Sequence, residues 1–249
     1  MRKPGSGYEP TDALRAVSGW RWVVALVALS LIAVLAEVNP DAPPMLALQN
    51  PTRLRFAFIN GDNDLPTSWT CAPIRVVLDQ SIATAGIEAD VRAAIRDVET
   101  VSAFTFDVIG SVDHQPNEQW ATESSAFGAD VIYAVSSPER SELVEGEELA
   151  AANLHIVFEE PRSRFVAGAV VFNADRLEEL TPGMGPMSVG AVATHETLHI
   201  LGLDHVKDSR SIMTADINDG SAMIGPGDVN GLAVLDQAAC DSRESTGFD

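Results

Sequence analysis

The sequence predicts an α+β domain, a sheet with helices packed on it. Three observations carry that prediction. Short runs rich in β-branched residues recur between Ile74 and Asn173, which is the mark of strands. One amphipathic helical pattern follows the first of these runs. A long apolar helix then follows the last strand and carries two histidines.

Ile74 to Leu78 is a strand of β-branched and aliphatic residues. Glu88 to Ala103 is a helix, because Val91, Ala94, Ile95, Val98 and Val101 recur at spacings of three and four. Phe104 to Ile109 and Asp130 to Val135 are the second and third strands. Asp113 to Gly128 between them is polar and reads as a loop, and Pro138 to Glu148 reads as an acidic surface loop. Asn153 to Phe158 and Phe165 to Asn173 make a fourth and a fifth strand. The apolar helix runs from about Met187 to Leu201. Gly225-Pro226-Gly227-Asp228 opens a last helix, Val229 to Ala239, with Asp228 as its expected N-cap.

The chain has 249 residues, enough for one domain with a sizeable core plus a targeting segment. Its 16 Lys and Arg against 36 Asp and Glu give a formal charge of -20. Residues 1–36 hold four of the basic and two of the acidic side chains, so the remainder stands at -22. Nucleic acid and anionic lipid need a positive surface and are excluded as partners. Calcium would suit so acidic a body, but no oxygen-ligand loop stands out to assign it.

Residues 1–21 are polar and carry Arg2, Lys3, Arg15 and Arg21. Trp22 to Ala36 is an uncharged apolar run of 15 residues. That is short for a membrane span of ~20 and suits a signal-peptide core. The long polar lead, with Trp20 and Trp22 at the boundary, suits an uncleaved anchor equally. In either reading the basic end stays in the cytoplasm and the body lies outside, secreted or membrane-anchored. Residues 37–68, with Pro40, Pro43, Pro44, Pro51 and Pro66, read as a linker or short pro-segment. Arg53 to Ile59 alternates loosely, as a minor strand would.

The chemistry concentrates at His195-Glu196-Thr197-Leu198-His199-Ile200-Leu201-Gly202-Leu203-Asp204-His205. Residues i and i+4 of a helix share one face, so His195 and His199 can aim at one point. Gly202 can take the left-handed conformation that ends a helix, and His205 can return as a third ligand. Glu196 stands beside the site as a general base. Three protein ligands leave a zinc's fourth position open for water, the catalytic arrangement. Three of the five histidines fall inside these eleven residues, and His114 and His155 are assigned no metal.

This stretch meets H-E-x-x-H-x-x-G-x-x-H at every specified position and resembles the metzincin zinc metalloproteases. Met213, eight residues past His205, resembles the methionine of their Met-turn. No tyrosine follows it, since Thr214-Ala215-Asp216 comes next, and this moves the resemblance toward the matrixins. The resemblance covers roughly 69–240, with 241–249 a tail. It implies a zincin-like fold, a twisted, mostly parallel sheet of about five strands with an active-site helix and a C-terminal helix. It also implies a monomeric zinc endopeptidase acting on polypeptides, with His195, His199 and His205 on one catalytic Zn2+ and Glu196 as base. The rival reading is a non-proteolytic zinc-binding cell-envelope or interaction protein on the same scaffold. Cys71 and Cys240 would tie the start of the domain to its end by a disulfide in an oxidising compartment. Two buried thiols are the other reading. A cysteine switch ranks below both, because the matrixin pro-segment signature is absent around Cys71.

Overall fold

A computed structural model describes residues 55–59, 66–159, 162–183, 185, 187–215 and 221–241. The elements in chain order are β1 (Ala57–Phe58), β2 (Ile74–Asp79), α1 (Gln80–Thr84), α2 (Glu88–Val101), β3 (Phe106–Val112) and α3 (Trp120–Glu123). They continue with β4 (Val131–Ser136), β5 (Ala150–Glu159), β6 (Arg162–Asn173), α4 (Val189–Leu201), β7 (Leu203–Asp204) and α5 (Pro226–Asp241). Trp22 to Ala36 and residues 37–54 lie outside the described residues. Among the described residues no helix is long and apolar enough to cross a membrane.

Five strands form one sheet in the order β3-β2-β4-β6-β5. The β2–β3, β2–β4 and β4–β6 pairs are parallel, and β5 runs antiparallel to β6 at the edge. The sheet is therefore mostly parallel and five-stranded, as expected. Parallel strands are normally covered on both faces, and the alternation of side chains sorts the two covers. Val76, Leu78, Val131, Tyr133, Val170 and Phe172 join the large core with α2 and α4. Val77, Ile132, Ala167 and Ala169 turn to the opposite face and pack with Trp120.

That second cover corrects the expectation of a loop over Asp113 to Gly128. The segment contains α3 and a 3-10 turn, Ser124–Phe127. Trp120 stacks on Phe127 at 5.7 Å, and the His114 ring lies 4.7 Å from Phe127. Asp79 ties the start of the segment down, accepting from the His114 N–H at 2.9 Å and from Gln115 Nε2 at 2.8 Å. His114 thus belongs to an aromatic layer, where its Nε2 lies 3.0 Å from Glu123 Oε2.

The helix α4 is apolar almost all round, as a fully buried helix must be. Ser188 caps its start, accepting from the Ala191 N–H at 3.1 Å. Trp69 pins its far end, donating from Nε1 to the Ile200 carbonyl at 2.6 Å. Against the sheet, Thr197 donates to the Ala193 carbonyl at 2.6 Å, and Tyr133 lies 2.9 Å from the same hydroxyl. A hydroxyl has one proton, so the Tyr133 hydroxyl is the donor in the second bond. Burial pushes its pKa well above the usual tyrosine range. Thr197→Val strands a buried phenol and should cost ~1–3 kcal/mol, whereas Tyr133→Phe leaves Thr197 bonded and should cost only ~0.5–1.5 kcal/mol. Urea denaturation of both variants and the double variant checks this; the double variant should cost less than the sum.

Candidate active site

The site is built where α4 ends. Gly202 stops the helix with φ at 112°, and its N–H donates to the His199 and Leu198 carbonyls at 2.9 and 3.2 Å. A side chain there would also meet the Phe165 ring, with a Cβ 2.9 Å from Cε2. The chain reverses through β7 and brings back His205. Its Nε2 lies 3.1 Å from both His195 Nε2 and His199 Nε2. The three rings are the one group of metal-capable side chains among the described residues.

The other ring nitrogens define the tautomers. His195 Nδ1 lies 2.6 Å from the Ile212 carbonyl, and His199 Nδ1 lies 2.7 Å from the Leu203 carbonyl. A carbonyl only accepts, so each Nδ1 carries the proton and each Nε2 presents a lone pair. His205 can donate to one of those lone pairs at most. Neutral imidazoles alone thus leave lone pairs facing each other, and a cation between them resolves the conflict. The 3.1 Å separations are close to the roughly 3.4 Å edge of a tetrahedron with ~2.1 Å metal–nitrogen bonds. Burial lowers the pKa of His195 to about 4 and of His199 to about 3, so both rings stay neutral near pH 7.

Glu196 is buried beside them. Burial, with the charge of Glu148 added, raises its carboxyl to about 8, while a hydrogen bond to the Ala152 backbone pulls the other way. A cleft of about 790 Å³ opens over His195, Glu196 and His199. Ala150, Ala151 and Ala152 of the edge strand β5 form one wall, and Val192 and Met187 contribute elsewhere. Met187 has φ of 56°, an uncommon conformation for a side chain of that size.

Met213 is buried and lies in the turn that supplies the Ile212 carbonyl. Its carbonyl accepts from the Val206 N–H at 2.9 Å, which joins this turn to the residue after His205. The turn hangs on Asp228, a residue whose part sequence reasoning misplaced. Asp228 is not the N-cap. The last helix starts at Pro226, and the Asp228 carboxylate reaches back to the Gly225 N–H at 2.7 Å. It also accepts from Ser211 Oγ at 2.5 Å and from the Ile212 N–H at 3.1 Å. Burial raises its pKa against the pull of these three donors. The signal in the sequence was Gly-Pro-x-Asp, a proline at the first helical position with an acid two residues on, as in a capping box.

His155 lies on β5 away from the three histidines, outside that group. Among the described residues no cysteine is free, and the side chain of Cys240, in the last turn of α5, lies outside the description. Replacing Asp228 by Ala removes three hydrogen bonds to one carboxylate. The loss should be ~2–4 kcal/mol of stability, read by denaturant unfolding, with Asp228→Asn losing less.

A comparison with curated proteins finds no match. The family model described as matrixin, peptidase M10, matches residues 79–235, a span that holds α2, four of the sheet's five strands (β3, β4, β5 and β6), α4, His205 and Met213. The match covers more than half of the chain and includes the whole of the three-histidine cluster, and so the chain belongs to the matrixin family.

Proposed function

We propose that this protein is a zinc-dependent endopeptidase. One observation carries the reading. Three histidine Nε2 atoms converge within a peptide-sized cleft, with the Glu196 carboxylate buried one residue from the first of them. Matrixins bind zinc and act on polypeptides, and the donor set here fits that ion: three imidazoles converge, and the outer N–H groups of two of them, His195 and His199, are held by carbonyls. When bound, zinc supplies a Lewis acid that polarises the scissile carbonyl and acidifies water.

The chain's own residues do the rest. The outer edge of β5 has no strand partner among the described residues, so an extended peptide can pair with it and present its backbone along the cleft. Glu196 takes a proton from the attacking water and delivers it to the leaving nitrogen. A positive charge at the three histidines favours the ionised carboxylate that this first transfer needs, against the burial that raises it. Met213 packs in the turn that holds the Ile212 carbonyl against His195.

We assign the protein to the outside of the cytoplasmic membrane, on the basic side chains of residues 1–21 and the apolar run, Trp22 to Ala36, that follows. A Cys71–Cys240 disulfide fits that compartment. Cys71 shares a small cavity with Asp236 and Ala239 of the last helix, one residue short of Cys240. Reducing it should lower stability by ~2–4 kcal/mol, measured by denaturation with and without reductant.

The central test is Glu196→Gln, with zinc content and cleavage of a peptide library measured on the same preparation. Zinc should stay stoichiometric while cleavage falls ~10²–10⁴-fold. If the wild type binds zinc and cleaves nothing in the library, the protein is a zinc-binding interaction module instead.

A further inference from the structure

The segment before Trp69 is built into the turn of the third histidine. Ala57 pairs with Asp204 and Phe58 with Leu203 in an antiparallel ladder. The Ile59 N–H donates to the Gly202 carbonyl at 2.9 Å, and Arg55 Nη1 donates to the Lys207 carbonyl at 3.1 Å. Four contacts therefore bracket Gly202 to Lys207, the reversal on which His205 stands. In the described residues β7 has no strand partner other than β1.

The last helix is shaped to receive this segment. A Cβ on Gly227 would stand 2.3 Å from the Arg55 carbonyl oxygen. On Gly231 it would stand 3.0 Å from Phe56 Cβ and 2.7 Å from Leu203 Cδ2. Glycine inside a helix is unfavourable relative to alanine. Two of them, one turn apart on the face that meets residues 55–56, make the room that β1 occupies. Ile59 then reaches the cleft itself and lines it beside His199 and His205. His195 and His199 are placed by a buried helix, whereas His205 lies outside it and depends on this layer.

We propose that residues 55–59 are a retained strap that positions His205, so that any maturation cut falls before Arg55. The strap acts through the Gly202–Asp204 backbone and is a positioning element. The proposal rests on the zinc reading above, and its readout is zinc affinity.

The test uses the full chain as wild type, Gly227→Ala and Ile59→Pro. The alanine pushes the strap off the helix while improving the helix's own propensity. The proline, placed in the turn that follows β1, removes the N–H that bonds Gly202. Zinc affinity is read by competition with a chelating dye, and melting of the metal-free protein reports the fold. Both variants should bind zinc ~10–100-fold more weakly, the range for losing support behind a ligand. Their metal-free forms should keep one cooperative transition near that of the wild type. Zinc affinities within about twofold of wild type in both variants overturn the proposal. So does loss of cooperative folding in both, which would make the strap part of the general core. A mature protein beginning after Ile59 by mass spectrometry also overturns it. A wild type that binds zinc and cleaves nothing would sink the protease reading and leave this proposal standing.

Discussion

Two hydrogen bonds organise the site: His195 Nδ1 to the Ile212 carbonyl and His199 Nδ1 to the Leu203 carbonyl. A helix fixes where two side chains i and i+4 begin, but not how their rings are rotated or which nitrogen carries the proton. The carbonyls decide both. Neither belongs to the helix that bears the histidines. One comes from the reversal after Gly202, and the other from the turn that Asp228 holds through Ser211 and the Ile212 N–H. The chemistry of α4 is thus set by backbone on either side of it, and the Val206-to-Met213 hydrogen bond ties those two pieces together.

The sheet makes this precision affordable by fixing the helix itself. With Val189, Val192, Leu198, Ile200 and Leu201 all buried, α4 has no solvated face on which to slide or rotate. Burial of such side chains is worth ~1.5–3 kcal/mol each against exposure, far more than any single contact in the site. The polar contacts from α4 into its surroundings then act as register marks. Tyr133 meets Thr197, Trp69 meets the Ile200 carbonyl, and Ser188 closes the first turn. The first two anchor points sit within two residues of a cleft side chain, Glu196 or His199.

What was legible in the sequence followed the range of the physics. The i, i+4 spacing of His195 and His199, the glycine stop at Gly202 and the periodic face of Glu88 to Val101 are local rules, and the structure places these elements within a few residues of the reading. The strands were found because their apolar runs are long; their ends moved, with β5 gaining Ala150 to Ala152, because alanine carries little strand signal. The cover built on Trp120 was missed. Its segment is polar, and the two aromatic rings that hold it face a patch of Ala167 and Ala169 that only the folded sheet creates. Asp228 stands three positions past the cap residue it was expected to be, because a carboxylate near a helix start can act from the cap or from inside the first turn. Only the distance to the Gly225 N–H separates the two. The strand at Ala57 was read as a bare alternation, and its partner lies about 145 residues away in sequence, beyond any local pattern.

Charge gives the arrangement its remaining logic. The chain carries a formal -20, and the cleft repeats the bias, with Glu147, Glu148, Glu196 and Asp204 along its walls. Arg176, the one cation lining it among the described residues, is bound at 2.6 Å to Glu179 and lies 3.6 Å from Glu147, so its charge is already matched. Concave sites lined by one sign of charge concentrate the opposite ion. Here that field converges on the three histidine Nε2 atoms. Burial keeps His195 and His199 from taking protons, and so keeps them open to a metal ion near neutral pH. The same burial works against Glu196, whose carboxylate needs a nearby positive charge to stay ionised. A cation at the histidines would relieve the facing lone pairs and the buried acid together, and its binding would add directly to the stability of the fold that presents them. In the proposed mechanism the helix that buries these groups would oppose its own glutamate until an ion were in place, which would couple the competence of the base to occupation of the site.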